Sequence, residues 1–311
     1  MSRIYEALQK AESEKKAERQ PGESPLPADE PRNTSATATL PYEEPATFGG
    51  VSVDDPAPVH DLGGGLNLSA VASLPWNPAI DRLPALLERG PAVEQFRSLR
   101  SRVYEARDIR PLKSILVSSG LPQEGKSFVS ANLAVSLARH KSSKVLLIDG
   151  DMRRYTLHEM LGTESHPGLA EYLAGKASAE QVMQRMAEGA APNSVNHILS
   201  NLTFIPGGNG GDKAADLSGN PRFGELLRLA APYFDWIIVD SSPVVPVSDG
   251  VNLARSCDGV LLVARAGVTK YAVAQRAASE LRSANVLGFV LNALVENPQT
   301  SSYYGYNSNK E

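Results

Sequence analysis

The chain has 311 residues, 42% of them hydrophobic and 21% charged, enough to bury a substantial core in one domain of about 200–250 residues with tails. A net charge of −4 and a pI near 5.8 leave no electrostatic footprint for a nucleic acid, so none is expected as a partner. A single cysteine, Cys257, excludes an internal disulfide framework and fits a reducing cytoplasm.

The opening "MSRIYEALQKAESEKK" lacks the apolar stretch of a secretory leader. No apolar run approaches the ~18 residues of a membrane-spanning helix, so any membrane association is expected through a partner. Residues 1–19 read as a short charged helix, with Ile4, Leu8 and Ala11 on a narrow stripe. Residues 20–66 hold eight of the 22 prolines among Glu, Thr, Ala and Gly. Such a stretch cannot bury enough surface to offset its ordering entropy and is expected to be a disordered linker. The folded domain is expected over 67–295, followed by a flexible tail over 296–311.

Within that domain "AVEQFRSLRSRVYEA" has a helical pattern, and apolar runs then alternate with helical stretches. "SILVSS" (114–119), "KVLLIDG" (144–150), "LTFIP" (202–206), "DWIIVD" (235–240), "GVLLVAR" (259–265) and "VLGFVLN" (286–292) read as short buried strands. They are nearly continuous in Val, Ile and Leu, as a parallel sheet covered on both faces requires. "FVSANLAVSLARH" and "FGELLRLAAPYF" read as helices, the latter with Phe223, Leu226, Leu227 and Ala230 on one face. The alternation predicts an α/β fold: a doubly wound, mostly parallel sheet with helices on both faces.

Three of the predicted strands end in chemistry. After "SILVSS" comes "GLPQEGKS", with Gly120, Leu121, Pro122, Gln123, Glu124, Gly125, Lys126 and Ser127 in the phosphate-cradling pattern of a P-loop. Glycines let backbone N–H groups turn toward phosphate oxygens, and a helix starting near Lys126 aims its positive end at the same anion. Lys126 then reaches the β- and γ-phosphates, and the Ser127 hydroxyl ligates Mg²⁺. The strand "VLLIDGDMRR" ends in Asp149, with Asp151 two positions on. Carboxylates at the mouth of an apolar strand need a cation or hydrogen bonds, although a solvated turn is the plain alternative. "DWIIVDSSP" ends in Asp240, the acid expected to hold Mg²⁺ in P-loop proteins. Ligands of open α/β sheets bind outside the carboxyl ends of the strands, so the three motifs predict one Mg–nucleotide site.

With those residues in view, the chain over about 84–306 resembles the bacterial tyrosine kinases of the capsule and exopolysaccharide type. "LPQEGKSFVSANLAVSLA" resembles their Walker A loop and helix, "VLLIDGDMRRYTLHEMLG" their second acidic motif, and "FDWIIVDSSPVVPVSDG" their Walker B segment. "VEQFRSLR" sets Glu94, Arg97 and Arg100 in a spacing that mediates ring-shaped self-association in that family; a charged helix face with i, i+3 pairs is the alternative. Tyr303, Tyr304 and Tyr306 in "SSYYGYNSNKE" resemble the family's autophosphorylation cluster. Phe128 stands where a threonine commonly contacts the α-phosphate, and Tyr155 where a proline is frequent. Related P-loop ATPases of the MinD and ParA type carry a further lysine early in the loop, at the position of Leu121 here.

The resemblance implies transfer of the ATP γ-phosphoryl group to tail tyrosines of neighbouring subunits. Lys126 and the loop from Gly120 to Phe128 hold the nucleotide, and Ser127, Asp151 and Asp240 organise Mg²⁺. Asp149 is the expected base, with the Asp149 and Asp151 roles exchangeable. It also implies a homo-oligomer and a membrane-embedded polysaccharide co-polymerase or chain-length regulator as activator. A tyrosine phosphatase is a further implied partner, and the implied location is the cytoplasmic face of the plasma membrane. The alternatives are a non-kinase ATPase switch and an ATP-binding scaffold in the export complex.

Overall fold

A computed structural model of the chain describes residues 65–140, 142–189 and 193–294. The expected N-terminal helix, nearly all of the expected linker and the tail tyrosines Tyr303, Tyr304 and Tyr306 lie outside them. Eight strands form one sheet: β1 (Ala72–Leu74), β2 (Ser114–Ser119), β3 (Val145–Asp149), β4 (Gln184–Met186), β5 (Leu202–Ile205), β6 (Trp236–Asp240), β7 (Gly259–Arg265) and β8 (Val286–Asn292). Their spatial order is β1-β4-β5-β3-β6-β2-β7-β8. From β5 to β8 every pairing is parallel, whereas β4 runs antiparallel to β5 and carries β1 with it.

The six predicted strands are all present. In β2, β3, β5 and β6 every residue is buried. Successive side chains point to opposite faces, so a continuous apolar run supplies both. Ile115, Val117, Val145, Leu147 and Ile238 enter one core; Leu116, Leu146, Ile148, Ile237 and Val239 enter the other. On the first face lie α1 (Pro91–Ile109) and α2 (Lys126–Ala138). Three short helices follow, α3 (Leu157–Leu161), α4 (Leu169–Leu173) and α5 (Ala179–Val182), then α6 (Asn193–Leu199) and α7 (Ala214–Ser218). α8 (Arg222–Ala230), α9 (Asp249–Ala254) and α10 (Tyr271–Glu280) contribute Phe223, Leu226, Leu253 and Ala277 to the second core. The chain enters that core as early as Leu66, which is buried.

Strands β1 and β4 were not expected from the residues, for a physical reason. Each is three residues long, and β4 contains Gln184 and Arg185. Gln184 is buried because Thr163 Oγ1 donates to its carbonyl at 2.8 Å while its amide donates to Glu164 O at 3.0 Å. Its polarity is satisfied by partners that only the fold supplies. Among the described residues no helix is long and apolar enough to cross a membrane.

Candidate active site

The parallel order puts the carboxyl ends of β3, β6 and β2 side by side, and each end carries a predicted motif. Asp149 and Asp240 are direct register partners on β3 and β6. Gly150 lets these strand ends approach: its N–H donates to Asp240 O at 3.0 Å, and a Cβ there would lie 2.5 Å from that oxygen. The loop after β2 turns into α2 at Gly125, whose φ of +95° suits glycine. Lys126 begins α2, and its Nζ sits 3.0 Å from Asp151 Oδ2, with both side chains largely buried. One lysine and three aspartates therefore converge from residues 126, 149, 151 and 240.

Each carboxylate has a distinct setting. Asp149 is fully buried; its Oδ1 accepts from the Asp151 N–H at 3.2 Å and its Oδ2 from the Leu157 N–H at 3.1 Å. Burial, and next the charge of Asp240, push its pKa well above the ordinary carboxylate range, against the Leu157 amide. Asp240 Oδ1 lies 3.0 Å from the Ser130 hydroxyl, which is also 2.8 Å from Lys126 O, so one proton is shared. Asp240 Oδ2 is buried without a hydrogen-bond partner. Burial raises the Asp240 pKa, and the nearby Lys126 and the Ser127 hydroxyl only partly pull it back. For Lys126 burial lowers the pKa, but the charges of Asp240 and Asp151 outweigh it and carry the ammonium above its ordinary value.

Three carboxylates facing one ammonium leave a negative excess, and an orphaned buried oxygen asks for a cation. Among the described residues no three acidic, His or Cys side chains form a ready-made metal cage. Mg²⁺ does not demand one, since it is commonly held by one or two carboxylates, waters and substrate phosphates. The residues present fit that description: Asp240 with a free oxygen, the Ser127 hydroxyl beside it, and Asp151.

Other expected residues fall in different settings. Gly120 is buried at the base of the loop, whereas Leu121, Pro122 and Gln123 are exposed and Glu124 is buried. The Phe128 ring packs on Phe96 of α1 at 5.7 Å between centroids, not over the loop. Its backbone alone is left to serve an anion, which makes the absent threonine a packing exchange. Glu94, Arg97 and Arg100 lie on α1, away from the acidic cluster in sequence and partners. Arg97 Nη1 pairs with Glu94 Oε1 at 2.5 Å, and Arg100 Nη1 donates to Ser136 O at 2.7 Å.

Several neighbours were not foreseen. Ser130 is legible in hindsight, one helical turn beyond Lys126 on the same face. Arg153 Nε donates to Asp249 Oδ2 at 2.6 Å, tying the segment after Asp151 to α9. Across Gly207 from Asp149 stands Tyr155, which contacts His158 and His166 at 5.6 and 5.8 Å between ring centroids. Tyr155 thus gathers two histidines into an aromatic cluster in the segment after Asp151, and no local pattern announces it.

No protein-family model matches the chain. It is similar to the tyrosine-protein kinase YwqD of Bacillus subtilis, 32% identical over 220 residues that cover 70% of this chain and 87% of that protein. It is similar also to the putative tyrosine-protein kinase EpsB of Ralstonia solanacearum, 33% identical over 293 residues, 86% of this chain but 37% of that one. The chain spans about a third of the length of EpsB and of comparable kinases it matches. Among solved structures it resembles the kinase domain of the Escherichia coli tyrosine kinase ETK, with a TM-score of 0.60 and 31% identity over 69% of this chain and 80% of that one.

Proposed function

The chain belongs to the family of bacterial tyrosine kinases, and on that footing we propose that it transfers the γ-phosphoryl group of ATP to its own tyrosines Tyr303, Tyr304 and Tyr306 on neighbouring subunits. The observation that carries the reading is the convergence of Lys126 with Asp149, Asp151 and Asp240 at the ends of adjacent parallel strands. Phosphoryl transfer asks the protein chiefly for positioning and charge neutralisation. Lys126, at the amino end of α2, neutralises phosphate charge together with the amides of the loop from Gly120 to Phe128. Ser127, Asp151 and Asp240 would hold Mg²⁺, which would supply neutralisation of phosphate charge there. Asp149 takes the phenolic proton as the tyrosine oxygen bonds to the γ-phosphorus and the bond to ADP breaks. A carboxylate whose pKa stands well above its ordinary value is a better base for that proton.

The same reading extends to assembly and place. Glu94, Arg97 and Arg100 hold subunits together in a ring; the exposed Glu94–Arg97 pair within α1 is weak enough to exchange for an intersubunit one. A membrane-embedded polysaccharide co-polymerase activates the kinase at the cytoplasmic face of the plasma membrane, and a tyrosine phosphatase reverses the modification. The test is incubation of the full chain with γ-labelled ATP and Mg²⁺, followed by analysis for alkali-stable phosphotyrosine. Label that is abolished by Lys126→Met and mostly lost in Tyr303/Tyr304/Tyr306→Phe is the expected result. Phosphate release without protein label would replace the kinase reading with an ATPase switch.

A further inference from the structure

A carboxylate in the middle of an anion-binding loop is electrostatically misplaced, since it repels the triphosphate the loop is meant to hold. Glu124 is such a residue, yet it is only 3% exposed while the three residues before it are open to solvent. Its side chain accounts for this by turning away from the loop's mouth. Oε2 accepts the N–H of Leu121 at 2.8 Å, spanning the loop internally. Oε1 accepts the hydroxyl of Thr269, on the turn between β7 and α10. The same Thr269 oxygen accepts the N–H of Arg265, the last residue of β7, at 2.8 Å. From β8, the Asn292 amide donates to Glu124 O at 3.0 Å, and Asn292 O accepts the N–H of Ala266 at 2.8 Å.

From this circuit we infer that Thr269 and Asn292 are positioning residues for the nucleotide loop, acting through Glu124 to hold it in its binding conformation before ligand arrives. The backbone gives the reason such bracing is needed. Gln123 has a φ of +64° and Gly125 a φ of +95°, in the left-handed region, and a non-glycine residue stays there only when its surroundings over-determine it. Inward-facing amides also repel one another until an anion binds. Gly125 carries a second duty here. A Cβ on it would lie 1.9 Å from Asn292 Nδ2, so the missing side chain makes room for the brace as well as for phosphate. A loop ordered at folding spares that ordering cost at binding, so the brace acts on affinity and not on the chemical step.

The inference rests on the loop's being the nucleotide site, and the experiment separates its failure from that of the kinase reading. Mg–ADP affinity is measured by titration calorimetry on the full-length chain and on Thr269→Val, Thr269→Ser, Asn292→Ala and the Thr269→Val/Asn292→Ala double variant. Phosphotyrosine formation is followed across ATP concentrations in parallel. Thr269→Val and Asn292→Ala are each expected to weaken Mg–ADP about five- to fifty-fold. KM for ATP rises and kcat changes less than about twofold, while the melting temperature without ligand falls by only a few degrees, the cost of a buried acceptor left without its donor. Thr269→Ser restores the affinity, and the double variant loses less than the product of the single losses because both act on one residue. Unchanged affinity in Thr269→Val, or Thr269→Ser as weak as Thr269→Val, overturns the inference while leaving the kinase intact. A kcat that falls as far as KM rises also overturns it. Mg–ADP binding with this mutational pattern but without phosphotyrosine would sink the kinase reading alone, and no Mg–ADP binding by the unaltered chain would sink both.

Discussion

Asp240→Asn exchanges a buried carboxylate for a neutral amide of the same shape at the end of β6. The amide oxygen keeps the 3.0 Å contact with the Ser130 hydroxyl, and the amide nitrogen takes the place of Oδ2, which has no hydrogen-bond partner. Burial holds the Asp240 pKa above its unfolded value. For a group shifted in that direction, the stability contributed by the protonated form is complete below the unfolded pKa, near 4. It is lost as pH rises through the folded value. At pH 8 the unaltered chain without ligand therefore carries the cost of an ionised, half-satisfied carboxylate. That cost is about 1–3 kcal/mol, partly returned by the attraction of Lys126. A net gain of about 1 kcal/mol for Asp240→Asn corresponds to a melting temperature about 2–4 °C higher in a domain of this size. The gap closes toward pH 4, where the carboxyl is protonated in both folded and unfolded chains. Saturating Mg–ADP reverses the order, because it stabilises the unaltered chain by several kcal/mol at about a thousandfold excess over Kd and the variant far less. Scanning calorimetry from about pH 4 to 8, with and without Mg–ADP, reads all three effects. A ligand-free variant less stable than the parent at pH 8, or a gap that widens as pH falls, refutes the reasoning.

Gly125→Ala sets a methyl 1.9 Å from Asn292 Nδ2 at a φ of +95°; the expected result is a loss of about 1–3 kcal/mol of stability and of more than tenfold in Mg–ADP affinity, read by melting and calorimetry. Arg153→Ala leaves the carboxylate of Asp249, only 1% exposed, without its 2.6 Å partner. Because the arginine side chain is itself partly exposed, water makes good some of the loss, and urea unfolding should show about 1–2 kcal/mol of destabilisation. Lysine at position 153 recovers only part, since it lacks the planar fork. Arg97→Ala/Arg100→Ala is expected to lower the mass seen by light scattering, with a melting temperature within about 3 °C of the parent because the Arg97–Glu94 pair is exposed. Unchanged mass would remove α1 as the assembly element.

What the residues determined by themselves was whatever is written locally and repeated: uninterrupted Val, Ile and Leu runs that only a two-faced sheet can bury, and the strand–loop–helix grammar around Gly120–Ser127. The acids at the tips of β3 and β6 were legible for the same reason, because a charge ending an apolar run has few structural excuses. Tertiary structure decided which strand ends are neighbours. It paired Asp149 with Asp240, left Asp240 Oδ2 without a partner, and turned Glu124 from a nominal ligand into the anchor of a brace to Thr269 and Asn292. Those contacts join residues 91 to 168 positions apart, where periodicity carries no information. The short strands β1 and β4 were hidden likewise, since polar side chains such as Gln184 become buried only when distant partners satisfy them. Apolar burial follows composition along the chain, whereas directional polar pairing depends on geometry that exists only once the sheet has closed its order.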